Sequence, residues 1–166
     1  MAGGLLLGFS KWLGTTTLSG GIRNIGWIIP TLQTIHILGV AVLFSSAILV
    51  DLRVLRVLQR DAPLPEVAQR FLPWIWPVLL VLLASGSLLI VGEPRRTLLN
   101  TVFYLKMALL LVALALTASL QRWFTPTGWD SSRGRQVAGR LAAVLSILVW
   151  CGILFAGRWI AYTQAG

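Results

Sequence analysis

The stretch WIIPTLQTIHILGVAVLFSSAILV, residues 27–50, decides how this chain must be read. It opens on the interface signals Trp27 and Pro30 and stays apolar over the roughly 20 residues that an α-helix needs to cross a bilayer. It stops where Asp51, Arg53, Arg56 and Arg60 accumulate, and the helix is expected to run on into the headgroups as DLRVLRVLQR, with Asp51 and Arg53 forming a solvated helix end. Three more runs of the same kind come after it, over about residues 76–91, 98–120 and 137–162. Composition demands the same reading. A chain of 166 residues that is 57% hydrophobic and 11% charged has too little polar material to cover a soluble core. Its mean hydropathy of +0.82 agrees. The expected fold is all-α, an integral membrane four-helix bundle with a short N-terminal interfacial helix.

Outside the spans there is little chain. Residues 1–24 form an N-terminal segment in which LLLGFSKWL, residues 5–13, is too short to span and suits a helix lying in the interface, with TTTLSGG turning the chain after it. It has no basic stretch ahead of its apolar residues, so no cleaved signal peptide is expected. The four-span domain occupies residues 25–166. Within it, DAPLPEVAQRF is a polar connector in which Pro63 and Pro65 break one helix and Glu66 lies near the start of another short one. Gly92-Glu93-Pro94-Arg95-Arg96 reads as a tight turn, and FTPTGWDSSRGR has coil composition. No internal repeat is evident.

The net charge of +9 does not indicate nucleic acid, because the basic residues sit in short clusters at the ends of apolar runs. That is a topology signal. The two longer loops hold Arg53, Arg56, Arg60, Arg70, Arg122, Arg133, Arg135 and Arg140; the opposite side holds Lys11, Arg23, Arg95, Arg96 and Arg158. The bias places both termini outside, which in a bacterial cell means the periplasmic face of the inner membrane. Most of the tryptophans fall at predicted interfaces, where an aromatic belt belongs, and Trp150 is the mid-span exception, read as packing.

Polar residues inside the spans are costly and are therefore functional candidates. His36, Lys106, Glu93 and Arg158 all fall in the half of the membrane that carries the termini, with His36 and Lys106 each about 12–13 Å from the boundary. His36 is the only histidine. A neutral imidazole in a bundle suits an axial haem ligand, and Gly39 on the next turn would admit a flat macrocycle or a neighbouring helix. The other reading of His36 is a structural histidine bonded to a neighbour's backbone or hydroxyl. A haem there would find no second histidine, leaving Met107, Cys151, Lys106, solvent, another subunit or nothing for the sixth position. Copper held by His36, Met107 and Cys151 is chemically permissible. Lys106 is expected to pair with a carboxylate such as Glu93, a carbonyl or an anionic ligand, and Arg158 to be either an interface anchor or a contact for a propionate, quinone oxygen or phosphate. With one cysteine there is no internal disulfide, and no phosphate loop, Ser/His/Asp set or HExxH pattern supports hydrolysis.

His36-Ile37-Leu38-Gly39 with Ile48 to Arg53, Gly92-Glu93-Pro94, Phe103 to Met107, Ser146 to Trp150 and Gly157 to Tyr162 together resemble an uncharacterised family of small bacterial membrane proteins. That family is in turn similar to the copper-resistance D-type proteins and to the four-helix protoporphyrinogen oxidase of haem synthesis. The resemblance covers about residues 27–162. It implies a four-helix bundle in the inner membrane, with haem b at His36 and Lys106 lining the same cavity.

The leading functional expectation is a membrane subunit of an oxidoreductase or electron-transfer system, binding haem b or a quinone around His36, Gly39, Lys106, Glu93 and Arg158. Its partners would be other membrane or periplasmic subunits, or further copies of itself as a homo-oligomer. The alternative is a non-catalytic accessory or scaffold subunit of a larger membrane complex, docked through its N-terminal helix. A small-solute or metal-ion transporter is a third reading, although no broken helix pair or inverted repeat supports it.

Overall fold

The computed structural model describes residues 2–58, 64–123, 133–160 and 162. In order, the helices are α1 (Ala2–Gly14), α2 (Thr17–Asn24), α3 (Ile28–Val54), α4 (Leu64–Phe71), α5 (Ile75–Gly92), α6 (Pro94–Leu98), α7 (Thr101–Trp123) and α8 (Arg133–Trp159), with a 3-10 turn at Leu72–Trp74 before α5. There is no strand among the described residues. Four of these helices are long and apolar enough to cross a membrane, so the chain is an all-α membrane bundle.

Local chemistry explains how such apolar helices carry hydroxyls and a proline. Pro30 sits in the first turn of α3, where a missing N–H leaves no ladder bond unmade. Thr31 donates to the Trp27 carbonyl at 2.8 Å and Thr34 to that of Pro30 at 2.9 Å. Ser85, Ser87 and Ser119 likewise donate to the carbonyls of Val81, Leu83 and Ala115. Each hydroxyl is satisfied within its own helix, as a lipid environment requires. α7 begins where the Asn100 side-chain oxygen accepts from the Val102 N–H at 2.9 Å, while its amide reaches the Ile160 carbonyl at the end of α8.

The bundle is two helix pairs joined along one seam. α3 packs along α5, α7 packs along α8, and α3 against α8 joins the pairs, whereas α5 and α7 barely touch. The core between them is Leu43, Ala47, Ile75, Leu82, Ala113, Val149, Trp150 and Ile153. Outward-facing Ile37, Leu80, Leu111, Leu148 and Phe155 are 64–75% exposed, an apolar surface suited to contact with lipid. The end where α3 and α7 start and α5 and α8 finish is the near end of the bundle; the far end is opposite.

Several expectations are corrected. The third span does not begin at residue 98: Pro94–Leu98 form the separate helix α6, so the expected tight turn at residues 92–96 is partly helical, with Pro94 at its first position. The TTTLSGG stretch turns only at Thr15 and Thr16; from Thr17 it is helical, because the Thr16 hydroxyl caps α2 by accepting from the Ser19 N–H. α3 does not continue to residue 60 but ends at Val54, with Arg56 in the left-handed region at φ 60°. The expected second short helix does form, as α4. The coil-like loop falls on residues 124–132, outside the described residues, and α8 is already formed at Arg133.

The N-terminal helices do not stand apart. α1 packs against α6, with Gly14 beside Pro94, and α2 packs against the end of α5, where Gly92 leaves room for Ile22. Arg23 donates to the Gly14 carbonyl at 2.8 Å and ties α2 back to α1.

Candidate functional site

His36 and its partners come from two helices whose close approach depends on small residues. Gly39 lies where a Cβ would stand 2.9 Å from Leu82 Cδ2, so it is taken up by the α3–α5 contact. One turn further along α5, Gly86 leaves space for the imidazole: a Cβ there would sit 3.3 Å from His36 Cε1. Between them Ser85, buried on α5, lies with its Oγ 2.9 Å from His36 Nδ1.

That contact decides which ring nitrogen is available. Ser85 Oγ also lies 2.8 Å from the Val81 carbonyl, and with its one hydrogen directed there Oγ accepts from His36. In that arrangement Nδ1 carries the hydrogen. In a neutral ring this leaves Nε2 with its lone pair, and no described residue hydrogen-bonds it. The imidazole is half-buried. It is held through Nδ1 from the α5 side.

Lys106 enters from α7. Its side chain lies along Gly157 of α8, where a Cβ would be 3.6 Å from Nζ, and the ammonium is within electrostatic reach of His36. His36 of α3 and Lys106 of α7 thus share one neighbourhood at the near end. Lys106 has no carboxylate partner among the described residues, for Glu93 accepts instead from Arg96 at 3.0 Å, three residues along its own chain. The expected Glu93–Lys106 pair is thus not formed: Glu93 caps the α5–α6 corner, where Arg96 reaches it first. Arg158 is exposed, donates to the Tyr162 hydroxyl at 2.6 Å and stacks over that ring at 5.0 Å. The structure unites His36, Ser85, Gly86, Lys106 and Gly157, and leaves Glu93 and Arg158 at the rim.

Two features escaped the sequence reading. Ser85 and Gly86 were legible as a small, polar Ser-Gly-Ser interruption in an otherwise aliphatic span, but which partner they face is decided by helix pairing. Asp51 is not a solvated helix end: it is 2% exposed, enclosed between α3 and α8 with Ser146 beside it. The signal was the four-residue spacing Gly39-Leu43-Ala47-Asp51, all buried on one face of α3. Trp150 is a packing residue, as expected, at 1% exposure. Cys151 is a free thiol, Met107 is exposed, and no group of three His, Cys, Asp or Glu side chains converges among the described residues.

Comparison with known proteins places the chain. A family model described as "Family of unknown function (DUF6644)" matches residues 9–163, which takes in all four long helices and the latter part of α1. No curated protein and no solved structure matches the chain. With nearly its whole length matched, this four-helix membrane chain belongs to that family of unknown function.

Proposed function

We propose that this chain is a membrane subunit of an oxidoreductase or electron-transfer system and that it holds a haem b or a quinone at the near end, against His36. The observation that carries this reading is the Ser85 contact: with the Ser85 hydrogen on the Val81 carbonyl, the ring proton sits on Nδ1 and Nε2 keeps its lone pair for a ligand. The residues fit either group. A neutral imidazole held by a second residue is the form that ligates iron, and the same lone pair accepts from the hydroxyl of a reduced quinone. Lys106 supplies a positive charge for a propionate or a quinone oxygen. Such a group, when bound, would supply the electron-carrying chemistry; the chain binds it, orients it and separates it from the far end with an apolar core.

The resemblance to the copper-resistance D-type proteins and to the haem-pathway oxidase supports the haem form of this reading. Charge placement supports a bacterial inner-membrane location with the near end periplasmic, since Arg53, Arg56, Arg70, Arg133 and Arg140 all belong to the far end. Native protein, purified without stripping lipid, is examined by absorption spectroscopy with a pyridine haemochrome assay and by solvent extraction for quinones. A Soret band or an extracted quinone that disappears in His36→Ala is the expected result. Material with neither sinks the proposal.

A second reading is a non-catalytic accessory subunit, favoured by the apolar outer face of α1, where Leu5 is 78% and Trp12 61% exposed. It predicts that His36→Ala leaves the assembly and activity of a parent complex intact while deletion of the chain abolishes both.

A further inference from the structure

At the far end a second polar group is enclosed in the bundle, unconnected with the His36 site. Asp51 of α3 is 2% exposed, with Ser146 of α8 beside it. Its Oδ2 is buried without a hydrogen-bond partner among the described residues. One turn along α8 from Ser146, Trp150 is 1% exposed and its indole Nε1 is also buried without a partner among the described residues. α3 and α8 pack directly on each other, so an unmet acceptor and an unmet donor lie on two facing helices at neighbouring turns.

The chemistry of that pair selects its occupant. A metal cation would suit the carboxylate but meet the hydrogen of an indole N–H, which ligates nothing; an anion would suit the indole but meet the carboxylate. With the carboxylate ionised, the occupant accepts from Nε1–H and donates to Oδ2. Water does both, and Ser146 Oγ offers a third contact, within the range of partners that buried waters make. We propose that Asp51, Ser146 and Trp150 form a hydrated site in the far half of the bundle, where a bound water bridges the Asp51 carboxylate to the Trp150 indole. The apolar cluster of Leu43, Ala47, Leu82 and Ile153 extends from here toward His36, so the bundle carries two separate polar sites with dry packing between them.

Radiolytic footprinting of the full chain in lipid nanodiscs tests this, because hydroxyl radicals born from a bound water oxidise the side chain that touches it. The expected result is oxidation of Trp150 despite its burial. In Asp51→Leu that oxidation falls to background while Trp76 and Trp159, both exposed, keep theirs; in Asp51→Asn, which retains a polar side chain for the water, it persists. A wild-type Trp150 that stays unoxidised overturns the proposal, and this arm needs no variant to fold. Equal Trp150 oxidation in wild type and a folded Asp51→Leu overturns it too.

Discussion

The near and far ends of this bundle handle intramembrane polarity in opposite ways. At the near end, His36 is anchored through Nδ1, no described residue bonds its other nitrogen, and Lys106 is nearby. At the far end, Asp51 is sealed between α3 and α8 with Ser146 and Trp150. The difference comes from helix pairing. His36 is only partly buried, with one ring nitrogen bonded by no described residue, whereas Asp51 is enclosed where α3 and α8 pack on each other. The first arrangement suits binding of a cofactor, and the second ties two helices together.

Breaking the far end should have the largest effect. Trp150→Ala removes the largest fully buried side chain, and loss of about 3–5 kcal/mol is expected. Titration with a denaturing detergent, followed by far-UV circular dichroism, measures it, and the comparison is sharpened if cofactor content per folded molecule stays unchanged.

Gly39→Val strikes the contact that sets the near end. Its branched side chain would meet Leu82, where even a single Cβ comes within 2.9 Å of Cδ2, so Leu82 must shift and the α3–α5 contact repack at a cost of about 1–3 kcal/mol. Because Gly86 and Ser85 hold the ring from the same helix, the same unfolding assay combined with cofactor content should show both fall together. Cofactor loss without loss of stability would mean that Gly39 itself contacts the ligand.

Ser85→Ala is subtler. It deletes the acceptor that holds the hydrogen on Nδ1, leaving a part-buried donor unmet at about 1 kcal/mol or somewhat more, and it frees the ring to change tautomer. Nitrogen-15 NMR of the single histidine reads the result directly: Nδ1–H in the wild type, a mixture in the variant. A wild-type ring protonated on Nε2 would mean that this nitrogen has no lone pair to offer.

Glu93→Gln should do least. The Glu93–Arg96 pair is partly exposed and three residues apart, worth about 0.2–0.5 kcal/mol. Cofactor content in this variant should match the wild type, since Glu93 does not reach Lys106; a marked loss would place Glu93 in the site after all.

Of the architecture, the spans were legible because lipid imposes a length and a composition that a one-dimensional count detects. Their ends were less so. Pro94 hides a short helix inside an apparent turn, and Thr16 starts a helix within a stretch of turn residues, since both depend on who supplies the cap. Of the candidate site, His36 and Lys106 stood out as costly polar residues in apolar surroundings. Ser85 and Gly86 did not, because a serine and a glycine in a span cost little and are common, and only their partner gives them meaning.

Sequence alone determined that this is a membrane bundle and which side chains are too polar to sit in it without cause, since the free energy of transfer into lipid acts residue by residue and leaves its mark on each span. Tertiary structure decided who meets whom: that Glu93 turns to Arg96 and not Lys106, that Ser85 sets the free nitrogen of His36, and that Asp51 is enclosed. Those outcomes depend on how four helices of nearly uniform greasiness are paired and rotated, and apolar faces that resemble lipid on every side carry little record of which one turns inward.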